Sequence, residues 1–171
     1  MSNSVKDYRV NGRPVSEFDL AILLAGQFGL PAPFLAGEMR ACQQAREIVP
    51  HMVTVQTKEG LSDLSALHLA PSEARRLIRE RSAEAVERAN AGEFAPVVWP
   101  GPYRLEIQMR AESYKPEQAG PGMEFVNRHT MAWHARDFAS VFEFATYSRV
   151  PQGQAFLTPR DWRRSFRGRK G

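Results

Sequence analysis

The chain has 171 residues, 43% of them hydrophobic and 25% charged, with a formal net charge of +4. That length suits one compact domain, or one large half of a two-domain protein, with enough apolar residues for a real core. No run approaches the roughly 18 apolar residues that a membrane helix needs. Cys42 is the single cysteine, which excludes an internal disulfide and any cysteine-built zinc site. Residues 1–6 are polar and do not read as a signal peptide, so the expected location is the cytoplasm.

The basicity is local. Residues 151–171 carry Arg160, Arg163, Arg164, Arg167, Arg169 and Lys170 against Asp161, an excess of five that leaves the rest of the chain at −1. A neutral body gives a nucleic acid little to hold, because phosphate binding rests on clustered Lys and Arg. The tail, with Trp162 and Phe166 among its arginines, reads as a poorly ordered extension. The expected division is therefore a body, 1–150, and a basic tail, 151–171.

In chain order, Asn11-Gly12 between short β-prone runs predicts a hairpin, since a type I′ turn needs positive φ at both central residues. Pro14 confines the second arm to a sheet edge. Ser16 reads as an N-cap, with Glu17 in the first turn, where a carboxylate meets the positive end of the helix dipole. The helix that follows carries Phe18, Leu20, Ala21, Leu23, Leu24, Ala25 and Phe28, is apolar nearly all round, and should be buried until Gly29 ends it. Residues 31–36 predict a short strand, 39–49 a helix and 53–57 a β-branched strand. That alternation is the pattern of a parallel α/β unit. Residues 60–70 are ambiguous. Pro71 opens a helix, with Ser72 as its cap, running to Asn90 and stopped by Gly92. Tyr103, Leu105, Ile107 and Met109 alternate with polar residues, a half-buried strand. Residues 123–126 and 130–133 predict a hairpin, and 136–147 an amphipathic helix. The expected fold class is α/β, a mixed sheet with flanking helices.

Few residues carry chemistry by pattern alone. His51, His68, His129 and His134 are scattered, and the spacing of His129 and His134 places them on opposite faces of a strand. No HExxH, phosphate loop or GxSxG occurs. Cys42 lies inside a helix with no base indicated, so it reads as a core or an inert surface thiol. Lys58-Glu59-Gly60 follows a strand end, where α/β proteins place ligands, but is weak as a bare motif. Glu17, from its surroundings, is a helix-start carboxylate.

The run Val10-Asn11-Gly12-Arg13-Pro14-Val15-Ser16-Glu17 resembles the hairpin-and-helix segment of the M55 metallopeptidases, the D-aminopeptidases associated with dipeptide uptake in bacteria. The likeness continues through Leu30-Pro31-Ala32-Pro33-Phe34-Leu35-Ala36-Gly37-Glu38, where the family shows a similar strand followed by Ala-Gly-Asp. It recurs at Ile48-Val49-Pro50 and Leu69-Ala70-Pro71, and covers residues 5–148. The resemblance implies a zinc-dependent hydrolase acting on peptides with N-terminal D-amino acids, with two zinc ions, of which this chain is the C-terminal part of a two-domain protein. It also implies a homo-oligomer.

For Glu17 the resemblance implies a metal ligand, the glutamate the family supplies from its second half. No catalytic residue is assigned in this chain. The family's Ser-x-Asp-x-Glu-Gly start, its metal-binding histidines and its catalytic histidine have no counterpart here. The expectation is a truncated or split protein, inactive unless a separately encoded N-terminal half completes it. The alternative is a non-catalytic assembly or binding module that keeps the fold. Asp63 stands where the family tends to carry a basic residue, which weakens any anion contact in that loop.

Overall fold

The computed structural model describes residues 4–62 and 64–147. Asp63 and the basic tail, with the expectations placed on them, lie outside the described residues. In chain order the elements are β1 (Val5–Val10), β2 (Arg13–Pro14), α1 (Glu17–Gln27), β3 (Phe34–Glu38), α2 (Met39–Ile48), β4 (Val53–Ser62) and β5 (Ser65–His68). Then follow α3 (Pro71–Asn90), β6 (Tyr103–Met109), a 3-10 turn at Pro116–Gln118, β7 (Met123–Asn127), β8 (Thr130–Ala135) and α4 (Phe138–Tyr147). The described residues fall into two compact units, one formed by 4–16 together with 100–147, the other by Glu17–Trp99.

The first unit is an antiparallel sheet of order β2-β1-β6-β8-β7 with α4 against β6 and β8. Its opening hairpin has the expected turn: φ is +51° at Asn11 and +78° at Gly12. β2 is an edge strand, which suits a proline that cannot donate to a ladder. Register sorts the side chains by face. Val10, Leu105, Trp133 and Met123 stand in one row across four strands, and Tyr8, Ile107, Met131 and Phe125 in the next. Val10, Leu105 and Met131 are fully buried, as are Phe138 and Val141 of α4. Tyr103 meets Phe138 edge to face at 5.2 Å, and Trp133 stacks on Phe144 at 4.9 Å. The helix predicted from residue 136 begins at Phe138, because the Asp137 carboxylate accepts from the Ser140 backbone N–H at 2.9 Å and acts as the cap.

The second unit holds the mixed sheet, order β3-β4-β5, with β3 and β4 parallel and β4 and β5 antiparallel. The predicted β-α-β pattern is thus present as β3, α2 and β4, with the first strand at 34–38 rather than 31–36. The ambiguous stretch at 60–70 is the end of β4 and the whole of β5. Ile22 of α1, Ala45 of α2, Val49 just after it, Val53 of β4, Ala85 of α3 and Phe94 form one core. α1 is less uniformly buried than its composition suggests: Leu20, Ile22 and Leu23 are buried while Ala21 is exposed. α3 runs over the predicted residues, but its cap is Ala70 and Ser72 caps nothing. Pro71 occupies the first helical position, which leaves Ser72 inside the turn. Gly92, at φ +78°, ends the helix, and its N–H reaches the Ala89 carbonyl.

Candidate functional site

Glu17 is the first residue of α1, directly after Ser16, and its side chain is exposed. The other acid of that turn, Asp19, is 5% exposed, and its Oδ2 accepts a hydrogen bond from Gln44 Nε2 of α2 at 2.8 Å. Residues two apart on a helix do not share a face. The two carboxylates therefore differ in setting: Asp19 joins the start of α1 to α2, and Glu17 is an exposed residue. A carboxylate oxygen is a competent zinc donor, one of the four or so that zinc takes. Glu17 alone fits a single position of such a shell.

A second acidic residue is tied down where β3 meets α2. Glu38 caps α2 by accepting from the backbone N–H of Arg40 at 2.7 Å and of Ala41 at 3.4 Å. Its other oxygen accepts from Gly60 N–H of β4 at 3.4 Å. Partial burial pushes its pKa up, but the N–H groups of Gly60, Arg40 and Ala41 and the Arg40 charge prevail and hold it below the usual carboxylate range. The Gly60 contact gives the Lys58-Glu59-Gly60 segment a structural role, as part of the strand that Glu38 braces. The sequence displayed Glu38 in the right passage without a role; the cap signal is its place immediately before a helix-period run.

Cys42 is buried in α2, with its thiol 3.6 Å from the Val55 carbonyl. Burial pushes its pKa up, against the Gly37 backbone and the Arg46 charge, so the protonated thiol is favoured. Of the two readings, core or inert surface thiol, burial selects the core.

The histidines are not gathered. His51 follows α2, and its carbonyl takes a hydrogen bond from Arg88. His68 pairs with Lys58 in the β4–β5 ladder. His129 falls in the turn before β8, not in the strand, so the alternation argument does not govern it; its Nδ1 lies 3.3 Å from the Met109 carbonyl. His134 lies in β8, with Nε2 2.9 Å from Glu124 Oε2. Arg104 grips the same Glu124 carboxylate with two hydrogen bonds of 3.1 Å and also pairs with Glu106. These contacts, Arg104 first and His134 second, outweigh desolvation and lower the Glu124 pKa to about 2. Among the described residues no group of three or more His, Cys, Asp or Glu side chains is placed to hold a metal ion.

The two sheets, their flanking helices and the acidic start of α1, where exposed Glu17 precedes buried Asp19, define an α/β protein. The chain belongs to the peptidase M55 family, described as D-aminopeptidase, whose profile matches residues 1–147. It is 30% identical over 142 residues to a D-aminopeptidase of Bacillus subtilis (strain 168), a match spanning 81% of this chain and 51% of that protein. Among solved structures it is similar to the Zn-dependent D-aminopeptidase DppA from Bacillus subtilis, described as a self-compartmentalizing protease. There the TM-score is 0.77 at 26% identity, over 91% of this chain and 57% of that one. The chain thus spans about half the length of the relatives it matches.

Proposed function

We propose that this chain is the part of a zinc D-aminopeptidase that supplies Glu17 as one metal ligand. The remaining ligands and the catalytic histidine would come from polypeptide outside these 171 residues. The observation that carries the reading is the exposure of Glu17 at the start of α1, at the position the family resemblance gives to a ligand, in a chain that matches that family over residues 1–147. The substrate in the complete enzyme is a peptide with an N-terminal D-amino acid, and the complete site holds two zinc ions. When bound, such ions polarise a carbonyl and generate hydroxide from water near neutral pH.

The contribution of this chain is positional. The Gln44–Asp19 hydrogen bond links the first turn of α1 to α2, so the backbone two residues before it, at Glu17, is held by a packed element. A lone ligand makes no catalyst, and residues 1–171 by themselves are inactive in this reading. The protein works as a homo-oligomer, a proposal supported by the self-compartmentalizing DppA. We place it in the cytoplasm on the strength of its single, buried cysteine.

The test is complementation. The purified chain, with zinc and D-alanyl-p-nitroanilide, should show no turnover alone and gain it when mixed with the N-terminal half of the Bacillus subtilis relative. Glu17→Gln should abolish the gained activity and lower the zinc content of the complex while leaving its melting temperature unchanged. Robust turnover by the isolated chain would overturn the reading. Stable association with neither zinc nor turnover would favour a non-catalytic assembly module instead.

A further inference from the structure

The second unit leaves a cluster of leucines in water. Leu61 is 60% exposed, Leu64 99% and Leu67 61%, all on the hairpin of β4 and β5, and Leu69, just after β5, is 36% exposed. This surface is built rather than frayed. Ser62 Oγ and Ser65 Oγ lie 2.7 Å apart, and Ser62 also accepts from Leu64 N–H, so the end of the hairpin is hydrogen-bonded while its leucines stay outside. Four leucines exposed to that degree leave on the order of 450 Å² of side chain in water, more than half of the roughly 800 Å² that each partner buries in a standard interface. β5 also ends its sheet. Edge strands are ordinarily blunted by lysine, proline or a bulge; β5, Ser-Ala-Leu-His, carries neither lysine nor proline, and the register shift of this hairpin falls on β4, between Gly60 and Ser62.

We propose that this hairpin is the contact surface for a second copy of the chain, the two β5 strands pairing antiparallel about a two-fold axis. Self-complementarity favours that occupant. Antiparallel pairing brings the tip of each hairpin to the base of the other. At that base, where Leu67 and Leu69 lie beside Thr57, Lys58, Glu59 and His68, is an open depression of about 170 Å³, roomy enough for one aliphatic side chain. Leu64 of each copy enters the depression of its partner, and Leu67 meets its own symmetry mate. A two-fold contact of this kind is isologous: one patch serves both partners. The inference rests on the oligomer part of the proposed function and names the surface that builds it.

Sedimentation velocity over a concentration series tests it. The wild-type chain should be dimeric or larger, and Leu64→Ser with Leu67→Ser should weaken association at least tenfold with an unchanged circular dichroism spectrum. Val86→Ser, which removes an exposed valine of α3, should leave association as it was. As a second measurement, Leu67→Cys should form an intermolecular disulfide under mild oxidation while the wild-type chain does not. An oligomer indifferent to the double substitution, with no cross-link, overturns the hairpin contact and leaves the functional reading standing. A monomeric wild-type chain overturns both this contact and the oligomer. Release to a one-to-one complex by the N-terminal half of the Bacillus subtilis relative would show that the other half of the enzyme, not a second copy, covers the leucines.

Discussion

Gly26 of α1 lies so close to Val97 that a Cβ at this position would stand 1.8 Å from the Val97 carbonyl oxygen and 2.7 Å from its carbon. In a helix interior alanine is ordinarily better than glycine by about 1 kcal/mol. Here the added methyl meets backbone, which cannot swing aside, and overpacking of that kind costs about 3 kcal/mol. The steric cost wins. Gly26→Ala should lower the urea midpoint of unfolding, read by circular dichroism, despite its better helix propensity. An equal or higher midpoint would show that the close approach is absent.

The Glu124 carboxylate, held at a pKa of about 2 by Arg104 first and His134 second, sets an acid limit for the β6–β8–β7 face. A depressed folded pKa means that the pairing contributes its full stability above the ordinary carboxylate value. That stability is lost as pH falls from about 4.5 toward about 2. Carbon-detected NMR titration of the Glu124 carboxyl should therefore give a midpoint near the lower figure. Arg104→Ala should return it toward the ordinary range, and His134→Ala should move it less. A midpoint insensitive to Arg104 would refute the assignment of cause.

What the sequence revealed follows the range of the interaction that decides each element. Asn11-Gly12, Pro71 and Gly92 act through their own backbone angles, so their turns and helix ends are readable without a fold. The alternation of Tyr103, Leu105, Ile107 and Met109 is similarly local, and those residues do form β6. The stretch at 60–70 resisted because its leucines are exposed, which removes the buried-face alternation that announces a strand. Ser72 failed as a cap because Pro71 had already claimed the first helical position. The grip of Arg104 and His134 on Glu124 depends on the register of three strands, which no local pattern encodes. Glu17 was legible as a helix-start acid; its candidate metal role came from resemblance alone.

Cys42 gives a kinetic prediction. Its thiol is buried in α2 and its pKa is raised, chiefly by desolvation, so both access and thiolate fraction oppose reaction. The native chain should react with a disulfide reagent such as DTNB at least tenfold more slowly than the urea-unfolded chain at the same pH. A native rate equal to the unfolded one would mean that the α2–β4 contact opens freely. Cys42→Ala, which keeps the helix and removes a small apolar volume, should fold and leave the proposed complementation activity intact.

Glu38 joins three backbone segments through one carboxylate, and its charge and its shape can be separated by mutation. Alanine removes every acceptor oxygen, freeing the N–H groups of Arg40, Ala41 and Gly60. Glutamine retains one oxygen and loses the charge. Loss of a helix N-cap in a chain of this size should lower the melting temperature by roughly 2–4 °C for Glu38→Ala, and by less for Glu38→Gln. Because the folded pKa is depressed, the charged form stabilises the protein above the ordinary carboxylate range, and that gain is lost as pH falls through the depressed value. The gap between wild type and Glu38→Gln should therefore be open at pH 7 and shrink progressively as the pH is lowered below the ordinary carboxylate range. The gap to Glu38→Ala should shrink less, since a protonated glutamic acid still offers its carbonyl oxygen to α2. Melting curves of the three proteins across that range decide the matter. A gap to glutamine that stays constant with pH would mean that the capping bond works through shape alone and that the Glu38 charge contributes nothing to the junction of β3, α2 and β4.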